Sequence, residues 1–145
     1  MTGETGVEPG IDRCYCTTLR KASRRVSQFY DHMLMPTGLR ATQYAILSTV
    51  KEMQELAVNQ LAMHLDLDRT TTGKNLHPLE KAGLIDVVPS QKDGRSRTIT
   101  LTVAGLAALD AATPLWSEAQ RHFEQINGRE SAAILRRGLN DLRVE

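Results

Sequence analysis

Residues 68–84 read Asp68-Arg69-Thr70-Thr71-Thr72-Gly73-Lys74-Asn75-Leu76-His77-Pro78-Leu79-Glu80-Lys81-Ala82-Gly83-Leu84, and residues 91–97 read Gln91-Lys92-Asp93-Gly94-Arg95-Ser96-Arg97. The first stretch predicts a helix. Asp68 suits its N-cap, because a carboxylate there can accept the free N–H of Thr70 or Thr71, and Gly83 ends it. Pro78 cannot donate to the carbonyl of Lys74 and its ring crowds that turn, a cost of about 3 kcal/mol if nothing compensates. A bend there is favoured over a restart with Pro78 in a first turn. Before this helix, Val58 to Leu65 reads as a short amphipathic helix, and Asp66-Leu67-Asp68 turns the corner. After it, the β-branched runs Leu84 to Val88 and Thr98 to Leu101 flank Asp93-Gly94, which predicts a hairpin. Hydroxyl, amide and cationic groups thus share one helix face, with two arginines on a finger beside it. No reaction needs that layout; a grooved polyanion does. It is the plan of a winged helix-turn-helix, over about 42–102, that reads DNA.

At 145 residues the chain has room for one domain with a proper core and is short for two. Apolar residues make up 41% and aromatic ones only 4%, and the Leu- and Ala-rich balance favours helix over sheet. The expected class is therefore mainly α with a small β-hairpin wing. A formal net charge of +1 does not by itself point to nucleic acid, but its distribution does. From Arg69 to Arg97 the cations Arg69, Lys74, Lys81, Lys92, Arg95 and Arg97 outnumber Glu80, Asp86 and Asp93, whereas beyond Thr102 acids and bases roughly cancel. No apolar run approaches the ~20 residues of a membrane span, and the N-terminal residues lack a signal-peptide pattern. The expectation is a cytoplasmic protein without a membrane partner. Residues 1–10 read as a mobile tail and 11–145 as one domain.

The outer segments are helical as well. Residues 11–35 carry Cys16, Leu19, Ala22, Val26, Phe29, Tyr30 and Met33 at three- and four-residue steps, opposite Arg20, Lys21, Arg24, Arg25 and Gln28. Pro36-Thr37-Gly38 stops that helix, and Thr42 to Glu52 forms the next, with Tyr44, Ile46, Leu47 and Val50 as its apolar side. Thr102 caps a long helix from Val103 to about Ile126, expected to be interrupted near Pro114. A last helix from Arg129 to Leu142 has Ala132, Leu135, Leu139 and Leu142 on one stripe. A small winged module cannot cover these surplus stripes, so the helices at about 11–35 and 103–143 are expected to form a dimerisation region against a second copy. A homodimer would place two reading helices roughly 34–36 Å apart, in successive major grooves of a near-palindrome.

The chain resembles the MarR family of transcriptional regulators from about Cys14 to Leu142. The resemblance is carried by Gln43-Tyr44-Ala45-Ile46-Leu47, by Gln60-Leu61-Ala62 with Leu65-Asp66-Leu67-Asp68, and by Leu79-Glu80-Lys81-Ala82-Gly83-Leu84-Ile85. Asp93-Gly94-Arg95-Ser96-Arg97 and Leu101-Thr102-Val103-Ala104-Gly105 complete it. Each piece alone is weak; in register they are specific. The resemblance implies a triangular homodimer with interlocked terminal helices, two winged reading heads and a small-molecule or oxidant switch.

The candidate DNA contacts are Arg69, Thr70, Thr71, Lys74, Asn75 and His77 on the helix, with Arg95 and Arg97 on the wing and Asp93 supporting it. Threonine, lysine and asparagine side chains can reach phosphates, thymine methyls or adenine edges. The competing reading is a solvated helix face, but Thr is a mediocre helix former and three in a row are poorly explained by local stability. Arg95 resembles the family's minor-groove arginine. Aligned through Gln43-Tyr44, Cys16 and Tyr30 fall where the hydroperoxide-sensing branch keeps its reactive cysteine and a hydrogen-bonding tyrosine, whereas Ala41 replaces that branch's second tyrosine. Cys16, with Cys14 nearby, is therefore an alternative redox site, weighed against the ordinary role of a free cysteine as a small hydrophobe. The two cysteines stand two positions apart; on one helix they project in different directions and cannot bridge.

Tyr30, His32, Tyr44 and Trp116 are candidates for an effector cleft taking a small aromatic or anionic molecule, with Arg20 or Arg24 supplying charge. Core packing is the stronger reading for the aromatics. No nucleophile–base pair, Gly-rich phosphate loop or metal-ligand cluster can be placed, so neither enzyme nor cofactor nor metal is expected. The sequence thus leads to a DNA-binding repressor released by an effector. An oxidant sensor acting through Cys16 and a winged-helix protein–protein module are the alternatives.

Overall fold

Helix α2, Ala41–Met53, is the hub, because one side of it is too apolar for any other place. Ile46, Leu47 and Val50 are fully buried, and each contributes about 1.5–3 kcal/mol relative to exposure. Around it the computed structural model, which describes residues 10–92 and 94–145, arranges α1 (Tyr15–Leu34), α3 (Val58–His64), α4 (Arg69–Lys81) and α5 (Val103–Asn127). A three-stranded antiparallel sheet of order β1-β3-β2 closes the module, with β1 at Leu56–Ala57, β2 at Ile85–Pro89 and β3 at Arg97–Leu101. Leu56 and Val87 both lie opposite Ile99, which is fully buried beneath α2 and α3. The last helix, α6 (Arg129–Asn140), packs chiefly on α5 and leaves Ile134, Leu135 and Leu139 about half exposed. No helix among the described residues is long and apolar enough to cross a membrane.

The expected class, mainly α with a winged helix-turn-helix and helical termini, is the one observed. Its details differ in four places. The strand β1 has no counterpart in the sequence pattern; two residues are too short to carry an alternation. Pro114 does not interrupt α5. Pro114 and Asp110 are both exposed, so the carbonyl that the ring deprives of a donor lies on the solvent side of the helix. Pro78 likewise sits inside one continuous helix together with an exposed Lys74, which removes the restart alternative. Pro89 lies within β2, where its missing N–H is harmless because β2 is an edge strand. Cys14 is not a helical residue: it caps α1, and Sγ accepts from the Thr17 N–H at 3.5 Å. The expected tail falls almost wholly on residues 1–9, outside the described residues.

Helix α4, the sheet and α5 meet at one backbone crossing. Gly83, at φ +75°, ends α4 with its N–H on the carbonyl of Glu80, while the Leu84 N–H reaches Leu79. The two carbonyls that follow are taken by one residue. The Thr102 hydroxyl donates to the Gly83 carbonyl at 2.6 Å, and the Thr102 N–H donates to the Leu84 carbonyl at 3.2 Å. The same hydroxyl accepts the Gly105 N–H at 3.0 Å and so caps α5. Helix α5 passes so close that a Cβ on Gly105 would lie 1.9 Å from the Leu84 carbonyl oxygen. Glycine is therefore required by space. Gly105→Ala is expected to lower the unfolding free energy by about 3 kcal/mol in urea titrations. Gly73→Ala, in a mid-helix position where nothing lies within 4 Å of the new methyl, should instead raise it by about 1 kcal/mol.

Candidate nucleic-acid interface

Helix α4 is fixed from below by Thr72, Leu76 and Leu79, all buried. Thr72 answers part of the puzzle of three consecutive threonines: it is a core residue whose hydroxyl donates to the Asp68 carbonyl at 2.7 Å. Helical geometry then turns Thr70, Gly73, Lys74, His77 and Lys81 outward, all exposed. Thr71 and Asn75 are half-buried on the flank. The Asn75 amide donates to the Thr71 carbonyl at 2.9 Å, so one of its two N–H groups is already committed. The expected face is thus shifted: Thr70, Lys74 and His77 point away from the protein, and Lys81 joins them. Asp68 caps the helix as its sequence position foretold, accepting the Thr71 N–H at 2.6 Å. Hydrogen bonds from Thr71, with the charge of Lys74 adding, hold the Asp68 carboxyl below the usual carboxylate range.

The wing stands beside α4. Its loop is closed by the Ser90 N–H on the Ser96 carbonyl at 2.7 Å, and the Lys92 N–H donates to Ser90 Oγ. Arg95 and Arg97 are exposed. Between wing and helix lies a groove of about 460 Å³ that gathers Arg69 and His77 from α4 with Arg95 and Arg97 from the wing; Glu80 is the acid on its wall. The structure therefore brings together four of the candidate DNA contacts in one cationic trough, with Thr70 and Lys74 on the outer face next to it. The proposed support of the wing by Asp93 lies outside the described residues.

The aromatic candidates separate. Tyr44 is core, stacked on Trp116 at 5.7 Å between centroids, with its hydroxyl 3.2 Å from that of Thr113. Together with Tyr30, Ala45 and Ser48 they line a cleft of about 350 Å³. Arg20, Arg24 and His32 do not line it; all three are exposed elsewhere on α1, so the charge expected for a carboxylate is missing there. Tyr30 donates its hydroxyl to Gln120 Oε1, and burial, then Glu124, pushes its pKa up. Fourteen residues separate Tyr30 from Cys16, about 21 Å along the helix, so the two do not pair within one protomer. Cys16 is exposed. It is Cys14 whose thiol is held below its ordinary value, by its hydrogen bonds with Thr17.

Comparison with known proteins places this geometry. The sequence profile of the MarR family matches residues 39–96. The organic hydroperoxide resistance transcriptional regulator of Bacillus subtilis is 30% identical over 105 residues, 72% of this chain and 71% of the relative. The chain belongs to the MarR family. The transcriptional repressor IacR of Pseudomonas putida is 24% identical over 107 residues, 73% of this chain; the match spans 64% of that relative's length. Among solved structures, the MarR-family fold found here superposes on the M. tuberculosis transcriptional regulator MosR in complex with DNA. The TM-score is 0.75 at 33% identity, covering 90% of this chain and 99% of the other.

Because the folded pKa of Asp68 is depressed, the capping contribution is complete above the unfolded carboxylate value and is lost as pH falls through the folded one. Asp68→Ala is therefore expected to melt below wild type at neutral pH. That gap should close in acid, as read by thermal unfolding followed by circular dichroism.

Proposed function

We propose that this MarR-family protein is a cytoplasmic repressor that binds a near-palindromic double-stranded operator as a homodimer and is released by a small-molecule effector. The observation that carries the reading is the cationic trough shared by α4 and the wing, lined by Arg69, His77, Arg95 and Arg97. A guanidinium on a projecting hairpin fits a narrow minor groove, while Thr70 and Lys74 on the adjoining exposed face suit the major groove. Dimer formation is supported by the apolar side chains left uncovered on the outer helices. Ile126, Leu135, Leu139 and Leu142 are each about half exposed or more, and Leu135 and Leu139 share an open apolar groove with Val26. An effector in the Tyr30–Tyr44–Trp116 cleft would be a small aromatic molecule rather than an anion, since aromatic rings and hydroxyls line it without a cation. It would act where α2 packs on α5 and so alter the relative placement of the two heads. No catalytic step belongs to this reading.

A second reading rests on Cys14. Its depressed thiol at the start of α1, beside the exposed Cys16, supports oxidant sensing. A thiolate would attack the outer peroxide oxygen, forming an S–O bond as the O–O bond breaks, with the alkoxide leaving and taking a proton from water. In this reading the nucleophile is Cys14 rather than the Cys16 that the resemblance implies, supported by the lowered pKa of Cys14.

Selection of duplexes from a random-sequence library at physiological salt tests the main reading. We expect recovered fragments with two related half-sites. Arg95→Ala should weaken binding strongly in gel shifts with the dimer intact, and Lys74→Ala should relax discrimination, with each misread base pair worth roughly 1–3 kcal/mol. Weak, salt-insensitive association unaffected by Arg95→Ala would instead favour a protein–protein module. For the thiol reading, hydroperoxide should release wild type from the selected duplex and fail to release Cys14→Ser. A wild type that peroxide never releases removes it.

A further inference from the structure

Arginines 20 and 24 are absent from the aromatic cleft, and the side of α1 they occupy leads to the reading helix. Below the trough, Lys74 and Asn75 of α4 share a second groove, of about 330 Å³, with Arg40 and Thr42 at the start of α2 and Ser27 and Asp31 of α1. At 100° per residue, Arg20, Arg24, Ser27 and Asp31 fall within about 60° of one another around α1, so the arginines lie on the side of the helix that opens onto that groove. At 1.5 Å per residue, Arg20 stands about 16 Å beyond Asp31 along the axis. Asp31 is the only acid in α1, against Arg20, Lys21, Arg24 and Arg25, and its carboxylate is engaged by the Ala41 N–H at 2.7 Å. Arg20, Arg24 and Arg40 are exposed, and none forms an ion pair with a described acid. Val26 and Tyr30, on the neighbouring side of α1, face Leu135 and Leu139, so the arginines stand clear of the apolar surface.

We propose that Arg40, Arg24 and Arg20 form a second phosphate track, which continues the DNA contact from Lys74 across the start of α2 and up α1. It rests on the DNA-binding reading and extends it: duplex flanking each half-site is held by its backbone, without reading of sequence. Charge complementarity and continuity with the α4 face support it.

The test titrates salt against the full-length protein and a duplex recovered from the random library, with long flanks and trimmed to its core. R20Q/R24Q/R40Q should make the slope of log affinity against log salt shallower by roughly 0.9 for each phosphate no longer neutralised, about 3 per half-site. Affinity for the long duplex should fall about tenfold or more, the preference for selected over scrambled sequence should persist, and R20K/R24K/R40K should keep the wild-type slope. Trimming the flanks should shrink the difference between variant and wild type. Should the triple variant not fold, R24Q and R40Q singly should each lower the slope by about 0.9. Unchanged slope and affinity in these variants, with binding still abolished in Arg95→Ala, overturn the track alone. A wild type that binds no selected duplex overturns the DNA-binding reading and the track with it.

Discussion

The molecule depends on the crossing at which Thr102 and Gly105 close over the backbone of Gly83 and Leu84. A helix end carries carbonyls without partners, and here the two that follow the α4 terminus are satisfied by one residue at the junction of sheet and α5. The hydrogen bonds fix the direction in which α4 ends, and the missing side chain at position 105 lets α5 come down onto that end. Reading helix, wing and long helix therefore share an origin. The approach of α5 to the end of α4 is therefore made partly by backbone atoms, with no side chain between Gly105 and the Leu84 carbonyl.

Much of this is legible in the sequence because the signals are local. The cap at Asp68, the stop at Gly83 and the cap at Thr102 each need one residue type at one position, and each stands where it was expected, Asp68 on Thr71, one of its two expected donors. The apolar period of α2 likewise declares its buried side. What escapes is set by tertiary context. The pairing of Leu56 and Ala57 with Ile99 and Thr98 joins residues too far apart for any periodicity to couple. Pro114 reads as an interruption because the sequence does not say that its unpaired carbonyl lies toward water. Thr72 looks like part of a polar face and is core, since a threonine can satisfy its hydroxyl on its own helix and bury the methyl.

The site is legible in its membership more than in its arrangement. Arg69, His77, Arg95 and Arg97 stand out in two separate stretches, and only the fold shows that they face one another across a trough. Asn75 counts with the outer face by its spacing, but its flank position and its bond to the Thr71 carbonyl set it aside from the solvent-exposed row. Arg40 is silent in the sequence, because a single arginine before a helix has no signature; its proximity to Lys74 comes from the packing of α2 on α4. Arg20 and Arg24 suit the cleft by charge alone, and the rotation of α1 turns them the other way.

The two-residue strand β1 has a mechanical consequence. By pairing with β3 it sews the entrance of the helix-turn-helix to the root of the hairpin, and α3 begins at the very next residue. The helix-turn-helix and the hairpin are then tied into one piece, like a key whose bit cannot turn in its shank. Under the proposed function, a signal arriving through α5 would change the pose of that body on the duplex and leave its teeth in register.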